Sequence, residues 1–265
     1  RMKKIAILLL AILTFSCSDD DEKGTEEDKG QWAMIFNETV KSDSNPVDRT
    51  EKFMFDGERL IQHIIKQRYF EEEISNEVNL SYSDNQVTVT TDYLTLVYTL
   101  NSEGYASQCV YSLSSQNRIY QFSYSAEGYL TGIVENIDNT EYSSTSLTYE
   151  NGDITSISSK MNGLENKFIY EPGEESSTYH LPCLGLLEIH PLTFHIEALY
   201  AGLLGKDPRH FTIRSCPAGS NDEKTIYSYE FDKKGNPSRM ICQTTYAGGQ
   251  ASYYPYTRNI SVSFE

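Results

Sequence analysis

The sequence predicts an all-β body, an antiparallel hairpin meander curled into an open or closed barrel with one inserted α-helix. Three observations carry this expectation. A hairpin phrase recurs with glycine in its turn. The strands between turns alternate apolar and hydroxyl residues. The composition is aromatic, with 20 Tyr and 11 Phe beside one Trp in 265 residues. Aromatic and β-branched side chains suit a pleated, half-buried surface better than a helix.

The phrase is an aromatic strand, a polar turn ending in Gly, and an aliphatic strand. Its clearest copies run from Phe122 and Tyr124 through Gly128 to Leu130, and from Leu147 and Tyr149 through Gly152 to Ile154. Tyr98 to Gly104, Phe53 to Gly57 and Tyr229 to Gly235 repeat it. Gly104, Gly128 and Gly152 stand 24 residues apart, the length of two strands and their turns. Period-2 alternation puts the aromatics on one face, and Gly supplies the positive φ that closes a tight hairpin. Val87 and Val89 alternate with Thr88 and Thr90, and Ile260, Val262 and Phe264 with Ser261 and Ser263. This template counts roughly twelve to sixteen strands. The alternative architectures are an elongated open sheet or a sandwich. A membrane-spanning barrel fits poorly, because charges are scattered through the strands and no unbroken apolar band is visible.

The meander is interrupted once. Residues 171–191 contain Pro172, Pro182 and Pro191 and read as irregular loop. Leu192, Ile196, Leu199 and Leu203 then recur at helical spacing, which predicts a helix over 192–204, capped by Gly205 and stopped by Pro208. Phe194, Ala198 and Ala201 widen its apolar surface, so it should pack on the sheet's apolar face and fill the concavity.

Before the body lie a signal peptide (1–16) and a tether (17–30), leaving 31–265 as a single β-rich domain. Lys3 and Lys4 lead into the apolar run Ile5–Leu13, which is too short to span a membrane, and Cys17 follows a short Thr14-Phe15-Ser16 run. Cys17 reads as a lipoprotein cleavage site, acylated to become the mature N-terminus. Ser18, Asp19, Asp20, Asp21 and Glu22 open an acidic segment that cannot bury enough apolar surface to order itself. Its Asp cluster lacks the spaced ligands of a calcium loop. Net charge is −16 overall and remains strongly negative in the body, which disfavours nucleic acid as a partner.

Four cysteines lie in the body: Cys109, Cys183, Cys216 and Cys242. Outside the inner membrane they can pair, and a Cys183–Cys216 bridge enclosing the helical excursion is the expected disulfide. Free buried thiols are the alternative.

Taken together, Cys17 with Ser18-Asp19-Asp20-Asp21, the aromatic-to-Gly hairpins and the phrase Ala198-Leu199-Tyr200-Ala201-Gly202-Leu203-Leu204-Gly205-Lys206 resemble a family of predicted lipoproteins of unknown function with a porin-like fold, from Bacteroidota-type bacteria. The resemblance covers about residues 50–265. It implies a barrel-like fold and an outer-membrane location, with Ser18–Glu22 resembling a signal for display on the cell surface; the periplasmic face is the alternative. It implies no activity.

No catalytic constellation emerges. There is no Gly-x-Ser-x-Gly elbow and no Gly-rich phosphate loop. His190 and His195 flank Pro191 with His180 and Cys183 nearby, a spacing that orients the rings poorly for zinc, and His63 and His210 lack a motif partner. We therefore expect no enzyme, no metal and no cofactor. Tyr246, Tyr253, Tyr254 and Tyr256 cluster around Gly248-Gly249 and Pro255, offering flat faces with hydroxyl handles for a glycan or a protein partner; cross-strand packing is their ordinary role. The reading is a non-enzymatic outer-membrane lipoprotein that binds an extracellular glycan or protein. The alternatives are an accessory subunit of an outer-membrane complex and a carrier of a lipid-like ligand.

Overall fold

Every hairpin glycine of the repeated phrase adopts the backbone its turn requires: φ is +84° at Gly104, +91° at Gly128 and +88° at Gly152. A computed structural model describes residues 30–41, 47–69, 72–113, 116–177, 181–220, 222–245 and 256–265. These turns join the strands β1 (Gln31–Lys41), β2 (Val47–Asp56), β3 (Arg59–Tyr69), β4 (Glu72–Ser83), β5 (Gln86–Thr90), β6 (Thr95–Leu100), β7 (Ala106–Leu113) and β8 (Gln116–Tyr124). The meander continues through β9 (Leu130–Ile137), β10 (Thr140–Glu150), β11 (Asp153–Met161) and β12 (Leu164–Ser176). It ends with β13 (His210–Pro217), β14 (Lys224–Phe231), β15 (Pro237–Thr245) and β16 (Tyr256–Phe264). Each strand pairs antiparallel with its neighbours in sequence, and β16 pairs with β1, with Phe36 opposite Val262 and Glu38 opposite Ile260. The barrel is closed, which leaves no sheet edge.

The alternation decides which face is inside. Val87, Val89, Leu96, Tyr98, Tyr120, Ile133, Ile157, Ile260 and Val262 are buried and point inward. Outward positions carry Thr88 and Thr90 on β5, Glu77, Asn79 and Ser81 on β4, and Asn259, Ser261 and Ser263 on β16. The outer wall is laced with exposed polar contacts such as Lys52 to Glu265 (3.0 Å), Gln62 to Glu77 (2.6 Å) and Arg239 to Glu230 (3.3 Å). Apolar residues such as Val97, Val110 and Ile119 also face outward, but they are interrupted by these polar and charged groups, and in a lipid-facing barrel one Lys or Arg at mid-height costs about 2–4 kcal/mol.

A barrel of this strand number is wide enough to leave an aqueous channel. Here the chain between β12 and β13 folds inside and fills it. This plug buries Leu181, Leu184, Leu186, Ile189, Leu192, Ala198, Tyr200, Leu203 and Leu204 against the inward side chains of the strands. The expected helix over 192–204 is shorter: a 3-10 turn at Leu192–Phe194 and one helix, α1 (Ile196–Tyr200). Leu192, Leu203 and Leu204 are buried in the lumen and Ile196 and Leu199 half-buried, and the helix is cut short where the chain turns back through Gly202 and Gly205 at positive φ. A Cβ on Gly205 would lie 2.6 Å from the Gly128 carbonyl and 3.1 Å from the Tyr124 ring, so only Gly permits this approach of plug to turn.

The cysteines correct an expectation. Cys109, Cys183, Cys216 and Cys242 are all free, and the Cys183–Cys216 bridge does not form. Cys183 is buried in the plug, whereas Cys216 follows Ser215, whose hydroxyl meets the inward Tyr227 hydroxyl at 3.0 Å. Strand alternation therefore turns Cys216 to the outer side of the wall, away from Cys183.

Candidate functional site

The barrel has two unlike ends. At the proximal end β1 begins and β16 finishes, with Ala33 and Glu265 exchanging two backbone bonds of 2.9 Å, and the glycine turns cluster. The plug enters and leaves here: the Ser177 N–H donates to Arg209 O (2.9 Å), and the Lys206 N–H to Gly128 O (2.9 Å). At the distal end β1 and β15 finish and β2 and β16 begin, and the tip of the plug meets the wall.

That meeting is ionic. His63 on β3 is wholly buried; its Nδ1 lies 2.8 Å from Glu197 of α1 and its Nε2 3.0 Å from Glu51 of β2. Its ring stacks on Phe53 at 4.0 Å, and Phe53 meets Tyr200 at 4.0 Å. Burial alone would lower the His63 pKa, but the two carboxylates override it and raise it above the ordinary value. Burial raises Glu51, yet His63 and Arg49, whose Nε is 2.6 Å away, hold it below the usual range. Arg258 on β16 grips both oxygens of Glu38 and donates to Glu188 of the plug (3.1 Å).

A second ionic contact sits across the mouth. Glu135, with a fully buried side chain, accepts from Ser143 (2.7 Å) and Arg118 (3.1 Å) and lies 2.5 Å from His190 Nε2. The Thr145 and Ser159 hydroxyls donate to the His190 carbonyl at 3.2 and 3.1 Å. Between the two contacts, His195 is wholly buried, and its Nδ1 shares a hydrogen bond of 2.8 Å with the Tyr98 hydroxyl. Burial pushes the His195 pKa down to about 3, so this ring is neutral. The two histidines thus serve separate partners and do not converge, and among the described residues no three His, Cys, Asp or Glu side chains are grouped to hold a metal.

Beside the first ionic contact lies a distal cleft of about 310 Å³ between plug and wall. Phe36, Tyr200, Ile196 and Ile260 form its floor, and Glu38, Arg49, Glu51, Gln67, Glu188 and Arg258 its rim. Both guanidinium groups are already paired with carboxylates, so an anionic ligand would have to displace one. The cleft suits a neutral ligand rich in hydrogen-bonding groups. Large apolar side chains also surface at this end: Ile74, Tyr93 (84% exposed), Met161, Leu164 and Phe194.

Of the residues the sequence nominated, Cys17, Ser18–Glu22, Tyr246, Tyr253 and Tyr254 lie outside the described residues. Tyr256 opens β16 opposite Thr244, two positions before Arg258 of the rim. The rim residues themselves went unnominated. A signal for them exists in the period-2 pattern: Arg49 and Glu51 share the inward register of Phe53, Glu38 that of Met34 and Phe36, and Arg258 that of Ile260 and Val262.

Comparison with known proteins now fits this geometry. The family described as a domain of unknown function (DUF4595) with porin-like fold matches residues 53–239. The chain belongs to this family. A crystal structure of a porin-like protein from Bacteroides uniformis is 26% identical, covering 88% of this chain and 96% of its own, with a TM-score of 0.79. One from Bacteroides vulgatus, 12% identical over 86% of this chain and 96% of its own, has a TM-score of 0.54 and shares the fold alone. No curated protein matches. Its barrel is porin-like in its closed antiparallel ring and unlike an open pore in its plugged lumen.

Proposed function

We propose that this protein is a non-enzymatic outer-membrane lipoprotein, anchored through Cys17 and carried to the cell surface by Ser18–Glu22, that binds an extracellular glycan at its distal face. The observation that carries this reading is the polarity of the barrel. Strand β1 begins at the proximal end, so an anchor preceding it attaches there, and the charged cleft opens at the opposite end. Residues 17–30, fully extended at about 3.3–3.6 Å each, would reach about 50 Å and hold the cleft well off the membrane. The polar outer wall supports anchoring over spanning. The filled lumen speaks against a lipid carrier, since the plug occupies the space such a ligand would need. The histidines are engaged in holding the plug, which supports a binding role over catalysis.

Calorimetric titration of the 31–265 body with purified neutral oligosaccharides tests the reading, with Gln67→Ala and Glu188→Ala expected to weaken binding at an unchanged melting temperature. Unchanged affinity in both variants would remove the cleft from the site. Replacing Tyr253, Tyr254 and Tyr256 together by Ala asks the same of that cluster. In cells, Cys17→Ser should abolish palmitate labelling, and external protease should cut the wild-type body; resistance beside a cleaved surface control would put it on the periplasmic face. A second reading, docking to a protein partner, draws on the exposed apolar residues of the distal end, and co-purification with a membrane complex would favour it.

A further inference from the structure

We propose a second saccharide-binding site, a groove at the proximal rim over β9–β11, separate from the distal cleft. It lies halfway round the ring from β1, where the tether would attach, so the anchor leaves it open. The groove is an open depression of about 600 Å³, within the range of about 300–1,000 Å³ that holds small ligands.

Its lining matches the alternating character of a sugar. Tyr129 stacks on Tyr149 with ring centroids 5.0 Å apart, so Tyr149 backs the ring of Tyr129, which forms the aromatic wall against which the C–H face of a pyranose packs. Opposite and around it stand outward threonines, Thr131 and Thr148, with Glu127 and Arg209 as one charge of each sign. The pair leaves the groove without net charge, so it selects neither phosphate nor a cation. The hydroxyls and the carboxylate offer acceptors and donors for sugar hydroxyls, and the polar rim is a poor surface for a lipid chain.

The groove is also held in shape. The Arg209 backbone N–H donates to Gly152 O at 3.1 Å and its guanidinium to Asn151 O at 3.2 Å, which lays the side chain across the β10–β11 turn. A Cβ on Gly152 would sit 2.5 Å from Arg209 and 2.6 Å from the Tyr129 hydroxyl, so the absence of a side chain there makes the floor. The Tyr129 hydroxyl and the Arg209 side chain meet over Gly152 and present polar atoms at the aromatic wall.

The site is independent of the distal cleft, and the experiment separates the two. The 31–265 body is titrated calorimetrically with maltotriose, cellotriose, laminaritriose and mannotriose at millimolar concentration. At least one should bind, and Glu127→Gln and Thr148→Val, both on exposed positions, should each weaken it several-fold. Tyr129→Ala should weaken it at least about tenfold. Circular dichroism and melting of the two exposed variants should match the wild type, so a folding defect in Tyr129→Ala does not decide the matter. In the Gln67→Ala, Glu188→Ala double variant, whose distal cleft is disabled, binding at this groove should persist. No binding of any of the four by the wild type, or loss in that double variant with the groove variants unaffected, overturns the proposal.

Discussion

Replacing Glu197 by Leu should unlock the plug from the wall in a way that pH reveals. The substitution keeps bulk but removes the acceptor 2.8 Å from His63 Nδ1, in a site where the His63 side chain is wholly buried and that of Glu197 is 13% exposed. Glu51 remains as the second partner, so the loss is that of one charge-assisted hydrogen bond, about 1.5–3 kcal/mol. In a domain of this size each kcal/mol moves the melting temperature by about 2–4 °C, giving a fall of about 3–12 °C. The sign with pH follows from the raised His63 pKa. The stabilisation from its protonated form is complete below the unfolded value near 6.5 and is lost as pH climbs through the folded value. Glu51, held below the ordinary range, acts oppositely: its contribution is present above about 4.5 and is lost as pH falls through its folded value. The gap in melting temperature between wild type and Glu197→Leu should therefore be widest at mildly acid pH, below about 6.5, and shrink as pH rises through neutral toward alkaline. Melting curves of both proteins across that range provide the assay. Equal midpoints at mildly acid pH, or a gap that widens as pH rises, would refute the reasoning.

Three further outcomes follow from the geometry. Arg258→Leu strands Glu38, whose side chain is 7% exposed, without its bidentate partner, and should cost about 3–5 kcal/mol in urea unfolding; a loss below about 1 kcal/mol would mean Glu38 finds water instead. Gly205→Ala combines a φ of +89° with a clash against the Gly128 carbonyl, whereas Gly104→Ala at φ +84° meets open space. The first should destabilise by at least about 2 kcal/mol and clearly more than the second, and equal losses would show that the plug yields at its exit. Thiol titration of the unfolded, unreduced body should count four free thiols, while the folded protein should react slowly at Cys109 and Cys242, whose pKa values burial pushes up to about 12; a count of two would contradict the arrangement of Cys183 and Cys216.

Much of the barrel was legible because its signals are local. The turn glycines 24 residues apart and the Val–Thr and Ile–Ser alternations are set within one hairpin, and they predicted strands, turns and the inward face. Closure of the ring was not legible as a single outcome. It depends on Met34 meeting Phe264, a pairing across nearly the whole chain that no local pattern announces. The helix was overestimated because the leucine spacing runs on past the point where the backbone stops: Gly202 at positive φ ends the helix inside the apolar run, although Gly205 looks like the natural cap. The ionic clusters escaped notice because His63, Glu197 and Glu51 are distant in sequence. Only register and plug path bring them together.

The position of the plug in the chain also constrains the order of assembly. It lies between the twelfth and thirteenth of sixteen strands, so when it emerges most of the wall precedes it and four strands are still to come. Contacts such as Tyr98 with His195 and Glu38 with Arg258 span roughly a hundred to more than two hundred residues, and such high contact order makes folding slow. An incomplete chain ending before β16 would expose the unpaired flanks of β1 and β15 together with the apolar leucines meant for the lumen, an invitation to aggregate. The last four strands therefore act as the closing stave, sealing a core that has to be seated before the ring is joined.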